Sequence, residues 1–405
     1  MSEASHQLTL PPPAAGPVDL LIVAGEHSGD EHAARMLSGL LARHPDYRVC
    51  ALGGPRLAAA GAQLLRDLTA NSAMGFAVLA KISQYRALIA DIVNWIGVHR
   101  PRAVCFVDSS ALNLRIASGM MDRGFSAKAG GPTKALYYIS PQIWASRPGR
   151  RIQMSRHLDA LAAIFPFEPA CYGDTTLPVE FVGHPFVRPD YRAPVAFDPA
   201  GPVLLLPGSR RQVVRRIFPV LLEAFRQADT GRNAVVLYPS DEILGVLQAA
   251  NPPANVALLP VSEGGAATPF AASNENGRPG GPSLPHSPVA AAAVLTASGT
   301  MSMHCALAGI PGALVYCTDT LTYLLGRLIV NVKFIGIANL LLGEAMYPEF
   351  IQDAAGPAVL ATQLRACLGE KARREKTAAQ AVRLRELLAQ PTNGSASEWL
   401  ARQLG

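Results

Sequence analysis

The chain has 405 residues, of which 49% are hydrophobic and 16% charged, and its formal net charge is +6. The length exceeds one ordinary core, so we expect two domains of about 150–200 residues, and the composition excludes an intrinsically disordered chain. The modest positive charge fits anionic substrates or an anionic membrane surface better than nucleic acid, which requires a denser basic face. Six scattered cysteines, none in C-x-x-C spacing, are typical of the reducing cytoplasm.

The N-terminal residues 1–17 are polar and then proline-rich, and we expect a disordered tail there rather than a signal peptide. No later run reaches the roughly 18–20 uninterrupted apolar residues of a membrane-spanning helix. Short apolar runs alternate with helical patterns through residues 18–190. This alternation predicts a mostly parallel sheet with helices on both faces.

The same alternation restarts after a proline-rich linker and occupies residues 200–355. Within it, residues 263–288 are rich in Gly, Pro, Asn and Ser and are expected to form a flexible insertion. Residues 356–405 are predicted to be helical. The expected fold is therefore α/β, with two Rossmann-like lobes, a cleft between them and a C-terminal helical segment.

The first candidate site lies where the apolar run Leu20–Ala24 turns into a helical pattern. Ligands of open α/β sheets bind beyond the carboxyl ends of the strands, where this turn is expected to lie. Ser28 or Asp30 would equally well serve as an ordinary helix N-cap. The turn residues that we consider are Gly25, Glu26, Ser28, Gly29 and Asp30.

Asp108 directly follows a second apolar run, Ala103–Val107. A carboxylate at the end of a parallel strand points towards the same crevice, where partial desolvation would favour a role as a base. A capping role at the next helix explains Asp108 equally well. Trp144, which follows a further predicted strand, is interpreted either as an indole that stacks on a ligand or as a core side chain.

Two strand-to-helix junctions in the second half have the composition of anion sites. Gly208, Ser209 and Arg210 offer amides and a guanidinium to a diphosphate. Ser298, Gly299 and Thr300 open a predicted helix, whose N-terminal amides and dipole favour an anion. Together they indicate a nucleotide diphosphate site that requires no metal, and the sequence has neither zinc-ligand spacing nor a phosphate-loop motif.

The aliphatic stretch Leu321–Leu342 contains Arg327 and Lys333. It fits either a helix–helix core or an apolar, basic-rimmed surface for a lipid.

In their order along the chain, nine motifs make the sequence resemble the lipid-A-disaccharide synthase family, from about Leu20 to Asp353. They are Ala24–Asp30, Gly53–Arg56, Met74–Phe76, Tyr138–Ala145, Phe165–Glu168, Gly183–Pro185, Leu206–Arg210, Ala297–Thr300 and Asn339–Leu341. The resemblance implies an inverting glycosyltransferase with the two-lobed GT-B fold. Such an enzyme transfers a diacylglucosamine unit from a UDP-linked donor to diacylglucosamine 1-phosphate, which yields the β-1,6-linked lipid A disaccharide precursor and UDP.

The same resemblance assigns roles to residues. Asp108 aligns with the family's proposed base. The donor UDP would contact Gly208, Ser209, Arg210, Ser298, Gly299, Thr300 and also His304, which stands where the family usually carries a Glu. The acceptor side would comprise Gly25, Glu26, Ser28, Gly29, Asp30, Asn113 and Trp144.

The family implies neither cofactor nor metal. Its members act as peripheral proteins on the cytoplasmic surface of the inner membrane, with a lipid monosaccharide phosphate as acceptor and no nucleic acid partner. A homodimer is compatible with this resemblance.

Two alternatives stay open because His304 and the stretch Ser109–Leu112 depart from the family's pattern. One is a catalytically impaired or substrate-shifted relative that binds a nucleotide sugar or a lipid. The other is a UDP-sugar epimerase or hydrolase with the same two-lobed fold, which would consume the donor without an acceptor.

Overall fold

The structure of the chain is a computed structural model that describes residues 10–69, 78–188, 191–261, 288–317 and 333–405. It divides into two compact units. The first comprises the chain up to Pro185 together with Gln390–Gly405, and the second comprises Phe186–Ala389.

The first unit contains a seven-stranded sheet with the order β3-β2-β1-β4-β5-β6-β7, in which all strand pairs are parallel. Its strands are β1 (Leu20–Ala24), β2 (Val49–Gly53), β3 (Gln63–Asp67), β4 (Ala103–Val107), β5 (Lys134–Tyr138), β6 (Ala160–Ala163) and β7 (Val179–Phe181). Its helices include α1 (His27–Leu41), α2 (Pro55–Ala59), α3 (Val78–His99), α4 (Ser110–Asp122) and α5 (Arg150–His157). Every residue of β1 and β4 is buried, as expected for central parallel strands covered on both faces.

The second unit contains a six-stranded parallel sheet with the order β11-β10-β9-β13-β14-β15, and β8 pairs separately with β12. Its strands are β8 (Val195–Phe197), β9 (Val203–Leu206), β10 (Ala234–Tyr238), β11 (Val256–Pro260), β12 (Val289–Ala291), β13 (Ala293–Ala297), β14 (Gly312–Tyr316) and β15 (Glu349–Ile351). Its helices include α6 (Arg211–Ala228), α7 (Asp241–Gln248), α8 (Thr300–Leu307), α9 (Ile337–Leu342), α10 (Pro357–Gly369) and α11 (Lys371–Leu388).

Each sheet reverses its strand order once, and the candidate residues lie at those two points. In the first sheet the reversal falls between β1 and β4, where Ala24 lies beside Val107. In the second it falls between β9 and β13, where Leu206 lies beside Thr296. In doubly wound α/β sheets the crevice for a ligand opens at such a point.

The structure shortens the predicted disordered tail. Leu10 is the first described residue, and the carbonyls of Pro11 and Pro12 accept hydrogen bonds from Trp95 Nε1 (2.9 Å) and Gln63 Nε2 (3.0 Å). These hydrogen bonds connect the inner end of the predicted tail to the first unit, and residues 1–9 of that tail lie outside the described residues. Of the predicted insertion at 263–288, only residue 288 is among the described residues. Residues 321–332 of the aliphatic stretch also lie outside them.

The C-terminal residues 356–405, predicted as one helical segment, are shared between the units. Helices α10 and α11 belong to the second unit, whereas the last helix, α12 (Ala396–Leu404), packs against α1 of the first. A reciprocal capping box between Ser395 and Glu398 starts α12. The hydroxyl of Ser397 then donates to the carbonyl of Met36 at 2.9 Å. Among the described residues, no helix is long and apolar enough to cross a membrane.

The contact between α1 and α12 depends on Gly39, which leads to a stability prediction. A Cβ at Gly39 would lie 3.0 Å from Cβ of Ser397 and closer still to its hydroxyl. We therefore expect Gly39→Ala to lower the free energy of unfolding by about 1–3 kcal/mol in urea denaturation, because the two helices must separate. In the control Gly245→Ala, where nothing lies within 4 Å of the new Cβ in α7, we expect a gain of about 0.5–1 kcal/mol from helix propensity. Equal effects of the two substitutions would contradict this packing.

Candidate active site

Asp108 lies in a strained turn at the end of β4. Its φ is 51° and that of the next residue, Ser109, is 37°, so two consecutive non-glycine residues are left-handed. Such conformations cost on the order of 1–3 kcal/mol each and persist only where neighbours enforce them. Here Asn113 Nδ2 donates to the carbonyls of Val107 (3.1 Å) and Asp108 (3.0 Å), and the hydroxyl of Tyr137 donates to the Asp108 carbonyl as well. These three hydrogen bonds fix the direction in which the Asp108 side chain leaves the sheet.

The carboxylate of Asp108 is half-buried beside the first turn of α1. Ser28 Oγ lies 3.4 Å from its Oδ2, within hydrogen-bonding distance. Gly29 faces the same turn: a Cβ there would be in ordinary van der Waals contact with the Val107 carbonyl at 3.4 Å and with the Asp108 Cβ at 3.7 Å. The positive end of the α1 dipole therefore lies next to a carboxylate. The N-cap of α4 is Ser109, so Asp108 does not occupy the capping position that the sequence left open.

The turn between β1 and α1 contains both exposed and buried candidates. Glu26 is the exposed N-cap of α1, and Gly25 makes room for Ser109, whose hydroxyl would lie 2.8 Å from a Cβ there. Asp30 is only 2% exposed, and its carboxylate accepts hydrogen bonds from the backbone amides of Gly54 (2.7 Å), Arg56 (3.1 Å) and Leu57 (3.3 Å). It therefore caps α2 rather than its own helix.

Asn113, like Asp30, is too deeply buried for contact with a ligand. Its exposed fraction is 0%, and both of its amide hydrogen bonds go to main-chain carbonyls. Asp30 and Asn113 thus act on the main chain, at the start of α2 and at the Asp108 turn.

Trp144 belongs to an aromatic cluster beyond β5 and β6. Its ring packs edge-on against Phe165 (6.3 Å between centroids) and Phe167 (5.2 Å), and its indole nitrogen donates to Glu168 Oε1 at 3.3 Å. The other Glu168 oxygen accepts the amides of Ile164 (3.2 Å) and Phe165 (3.0 Å). Burial raises the pKa of Glu168 to about 7, although these hydrogen bonds oppose the rise. Glu168 was not among the predicted site residues, although its place in the Phe165–Glu168 motif could have indicated it.

In the second unit, the two predicted anion loops lie side by side. Gly208 has a φ of 105°, and a Cβ there would lie 3.7 Å from the Ala297 Cβ at the end of β13. Arg210 is the N-cap of α6 and Gly299, with a φ of 153°, is the N-cap of α8. Neither N-cap side chain makes a capping hydrogen bond among the residues described, and helix N-termini of this kind favour an anion. In α8, the Ser302 amide already donates to the Gly299 carbonyl at 3.1 Å. The side chains of Ser209, Arg210 and Thr300 are exposed.

His304 lies one turn into α8 and is mostly buried. Its imidazole packs on the ring of Phe186 at 4.1 Å between centroids, and its Nδ1 is hydrogen-bonded to the hydroxyl of Tyr191. The rings of Tyr191 and Phe186 also stack, at 5.3 Å. Phe186 and Tyr191 were not among the predicted site residues, because no local sequence pattern indicates their contact with a helix more than 100 residues away.

The geometry of both units is that of a known class of fold. The calicheamicin glycosyltransferase CalG4 matches with a TM-score of 0.54 and 16% identity, over 96% of this chain and 98% of that one. A putative UDP-N-acetylglucosamine 2-epimerase from Listeria monocytogenes matches with a TM-score of 0.56 and 12% identity, over 96% and 95%. At such identities the likeness concerns the fold alone, which is the predicted α/β fold of the GT-B type.

Sequence comparison defines the family. A family model described as lipid-A-disaccharide synthetase matches residues 20–239 and 285–403. A lipid-A-disaccharide synthase from Geobacter metallireducens is 32% identical over 392 residues, which cover 94% of this chain and 95% of that protein. One from Nitrosococcus oceani is 32% identical over 365 residues, 87% and 88% of the two chains. The chain belongs to the lipid-A-disaccharide synthetase family and is a glycosyltransferase, as the motifs predicted.

The raised pKa of Glu168 gives a prediction for stability. The pKa is about 7 in the folded chain and 4.5 in its ordinary state, so between these values the folded chain binds more protons than the unfolded chain. The free energy of unfolding should therefore fall as the pH rises from 4.5 to 7, by up to about 3 kcal/mol, and then level off. We expect Glu168→Gln to remove this slope in urea denaturation at a series of pH values. Glu26→Gln, a matched change at an exposed position of the same unit, should retain it; an unchanged slope in Glu168→Gln would rule out this origin.

Proposed function

We propose that this chain is a lipid-A-disaccharide synthase that uses Asp108 as its base. The donor would be a UDP-linked diacylglucosamine and the acceptor diacylglucosamine 1-phosphate. One observation carries the proposal: each sheet of this family member places its candidate residues at the point where its strand order reverses. One such point presents a carboxylate, and the other presents two helix N-termini and an exposed arginine.

In the proposed reaction, Asp108 accepts the proton of the acceptor's 6-hydroxyl. The hydroxyl oxygen then attacks the anomeric carbon of the donor sugar, the bond from that carbon to the diphosphate breaks, and the configuration inverts to give the β-1,6 linkage and UDP. A carboxylate held beside Ser28 at 3.4 Å by a rigid turn has the fixed direction that proton transfer needs. The hydrogen bonds from Asn113 and Tyr137 go to the main chain, so they do not occupy the carboxylate.

On the donor side, the leaving UDP gains negative charge as the sugar bond breaks. The N-terminal ends of α6 and α8, together with the Arg210 guanidinium, are suited to stabilise that charge. We assign the contacts with the diphosphate to Gly208, Ser209, Arg210, Ser298, Gly299 and Thr300. His304, oriented by Tyr191 and Phe186, would contact the nucleoside in place of the family's usual Glu.

We further propose that the protein works at the cytoplasmic surface of the inner membrane, bound peripherally. The acyl chains of both proposed substrates and the net charge of +6 support this location. Co-sedimentation with vesicles that contain anionic phospholipid, compared with neutral vesicles, would test it. A homodimer stays a prediction that sedimentation velocity would test.

The decisive experiment measures UDP release from the diacylglucosamine donor with and without the acceptor. We expect release that depends on the acceptor, and we expect Asp108→Asn to lower kcat by about 10²–10⁴-fold because general-base catalysis is lost. Binding of UDP, measured by calorimetry, should persist in the variant. Asp122→Asn, an exposed change at the other end of α4, is the control and should leave kcat unchanged.

Other outcomes identify the alternatives. Release of UDP without an acceptor would indicate an epimerase or a hydrolase. Binding of UDP with no release in any reaction would indicate a non-catalytic relative. Full activity of Asp108→Asn would exclude Asp108 as the base.

A second test concerns the donor side. Tyr191→Phe removes the hydroxyl bonded to His304 Nδ1 and leaves the stacked ring in place. If this pair orients His304 towards the nucleoside, we expect the Kd for UDP to rise about 2- to 10-fold, the usual value of one neutral hydrogen bond. We expect His304→Ala to raise it further. Unchanged UDP affinity in both variants, measured by calorimetry on folded protein, would place His304 outside the donor site.

A further inference from the structure

Arg147 and Arg150 are two neighbouring arginines at the start of α5 in the first unit. Arg147 is exposed and Arg150 is half-buried, and neither forms an ion pair with any residue that the structure describes. The next arginine along the chain behaves differently, since Arg151 Nε donates to Asp174 at 2.7 Å. Isolated arginines are common at protein surfaces, so the position of Arg147 and Arg150 decides whether they indicate a binding site.

Arg150 lies directly beside the Asp108 turn. Its Nη1 donates to the hydroxyl of Ser110 at 3.3 Å, and Ser110 is the first residue of α4, two residues after Asp108. Tyr137 is close to both groups: burial raises the pKa of its hydroxyl, the Asp108 charge adds to that rise, and the Arg150 charge opposes it. The candidate base and this guanidinium are therefore neighbours of the same buried tyrosine.

The two guanidinium groups also act on each other. Burial and the nearby charge of Arg147 lower the pKa of Arg150. Placing like charges together in this way is unfavourable unless an anion compensates for them. The residue at the N-cap of α4, Ser109, makes no side-chain capping hydrogen bond, so the local dipole favours a negative charge as well.

We propose that Arg147 and Arg150 bind a phosphate monoester, namely the 1-phosphate of the acceptor sugar. This assignment rests on the proposed function, which supplies an acceptor with a phosphate at one end of its sugar and the reacting 6-hydroxyl at the other. A phosphate monoester carries a charge of about −1.5 to −2 near neutral pH, which two guanidinium groups match, and arginine binds phosphate through paired hydrogen bonds. With the phosphate held at Arg150, the sugar is oriented so that its 6-hydroxyl reaches Asp108.

The test compares two acceptors, diacylglucosamine 1-phosphate and the same lipid without its phosphate. With the phosphorylated acceptor, we expect Arg150→Gln to lower kcat/KM about 10- to 100-fold through KM, the usual effect of losing one charge-assisted hydrogen bond. Arg147→Gln should have a smaller effect in the same direction. With the phosphate-free acceptor, the wild type and both variants should be equally slow, and the KM for the donor should not change.

Arg151→Gln is the matched control, because it removes an adjacent arginine whose charge Asp174 already balances. It should behave as the wild type with both acceptors. An equal loss in Arg150→Gln with both acceptors, or no loss with either, would overturn the proposal. Weaker binding of Arg150→Gln to anionic vesicles, with an unchanged preference for the phosphorylated acceptor, would overturn it too and assign the pair to membrane phospholipid.

Direct binding separates this inference from the proposed function. The affinity of each variant for detergent-dispersed diacylglucosamine 1-phosphate, and for inorganic phosphate as a competitor, is measured without donor. If the wild type transfers no sugar but binds the phosphorylated lipid more tightly than Arg150→Gln does, the proposed function fails and the phosphate site stands. Equal affinities of the wild type and Arg150→Gln reject the site even if transfer is observed.

Discussion

The hydrogen bonds that converge on the main chain at Asp108 are the constraint on which the first unit's site depends. Asn113 and Tyr137 hold the carbonyls at the end of β4, and only with that support do two consecutive left-handed residues persist. The turn sets the direction of the Asp108 carboxylate, the start of α4 and hence the place of Ser110, to which Arg150 donates. The proposed base, Asp108, and the proposed arginine site therefore depend on the same turn.

The turns at the strand ends of the second unit differ from the Asp108 turn in their chemistry. Its proposed anion loops would present amides rather than a side chain, and Gly208 and Gly299 adopt positive φ values without strain. In the first unit a glycine at position 108 would relieve the turn but would remove the carboxylate. Strain is thus located where a side chain projects from the end of a strand, and glycine where, in the proposed donor site, the backbone itself would contact the diphosphate.

This difference also explains which parts of the fold and of the candidate site could be predicted from the sequence. The apolar runs of β1 and β4 predicted their strands because central parallel strands are buried on both faces. In contrast, β3, β8 and β15 were not predicted, because at most one residue of each is buried. Motifs located the turns but not the partners of their side chains. Whether Asp30 contacts a ligand or the amides of α2 depends on residues 24 or more positions away, and no local pattern records that contact.

His304 shows why a departure from the family's pattern need not change the reaction. The anion-binding capacity of α8 comes from backbone amides and the helix dipole, which do not depend on the side chain at position 304. That side chain packs against Phe186 and is hydrogen-bonded to the hydroxyl of Tyr191. In such a mostly apolar environment, an imidazole costs less free energy to bury than a carboxylate. His304 is therefore compatible with the aromatic side chains around it. In the proposed donor site, the contact with the nucleoside would change its chemistry, while the contacts with the diphosphate, and with them the stabilisation of the leaving group, would stay the same.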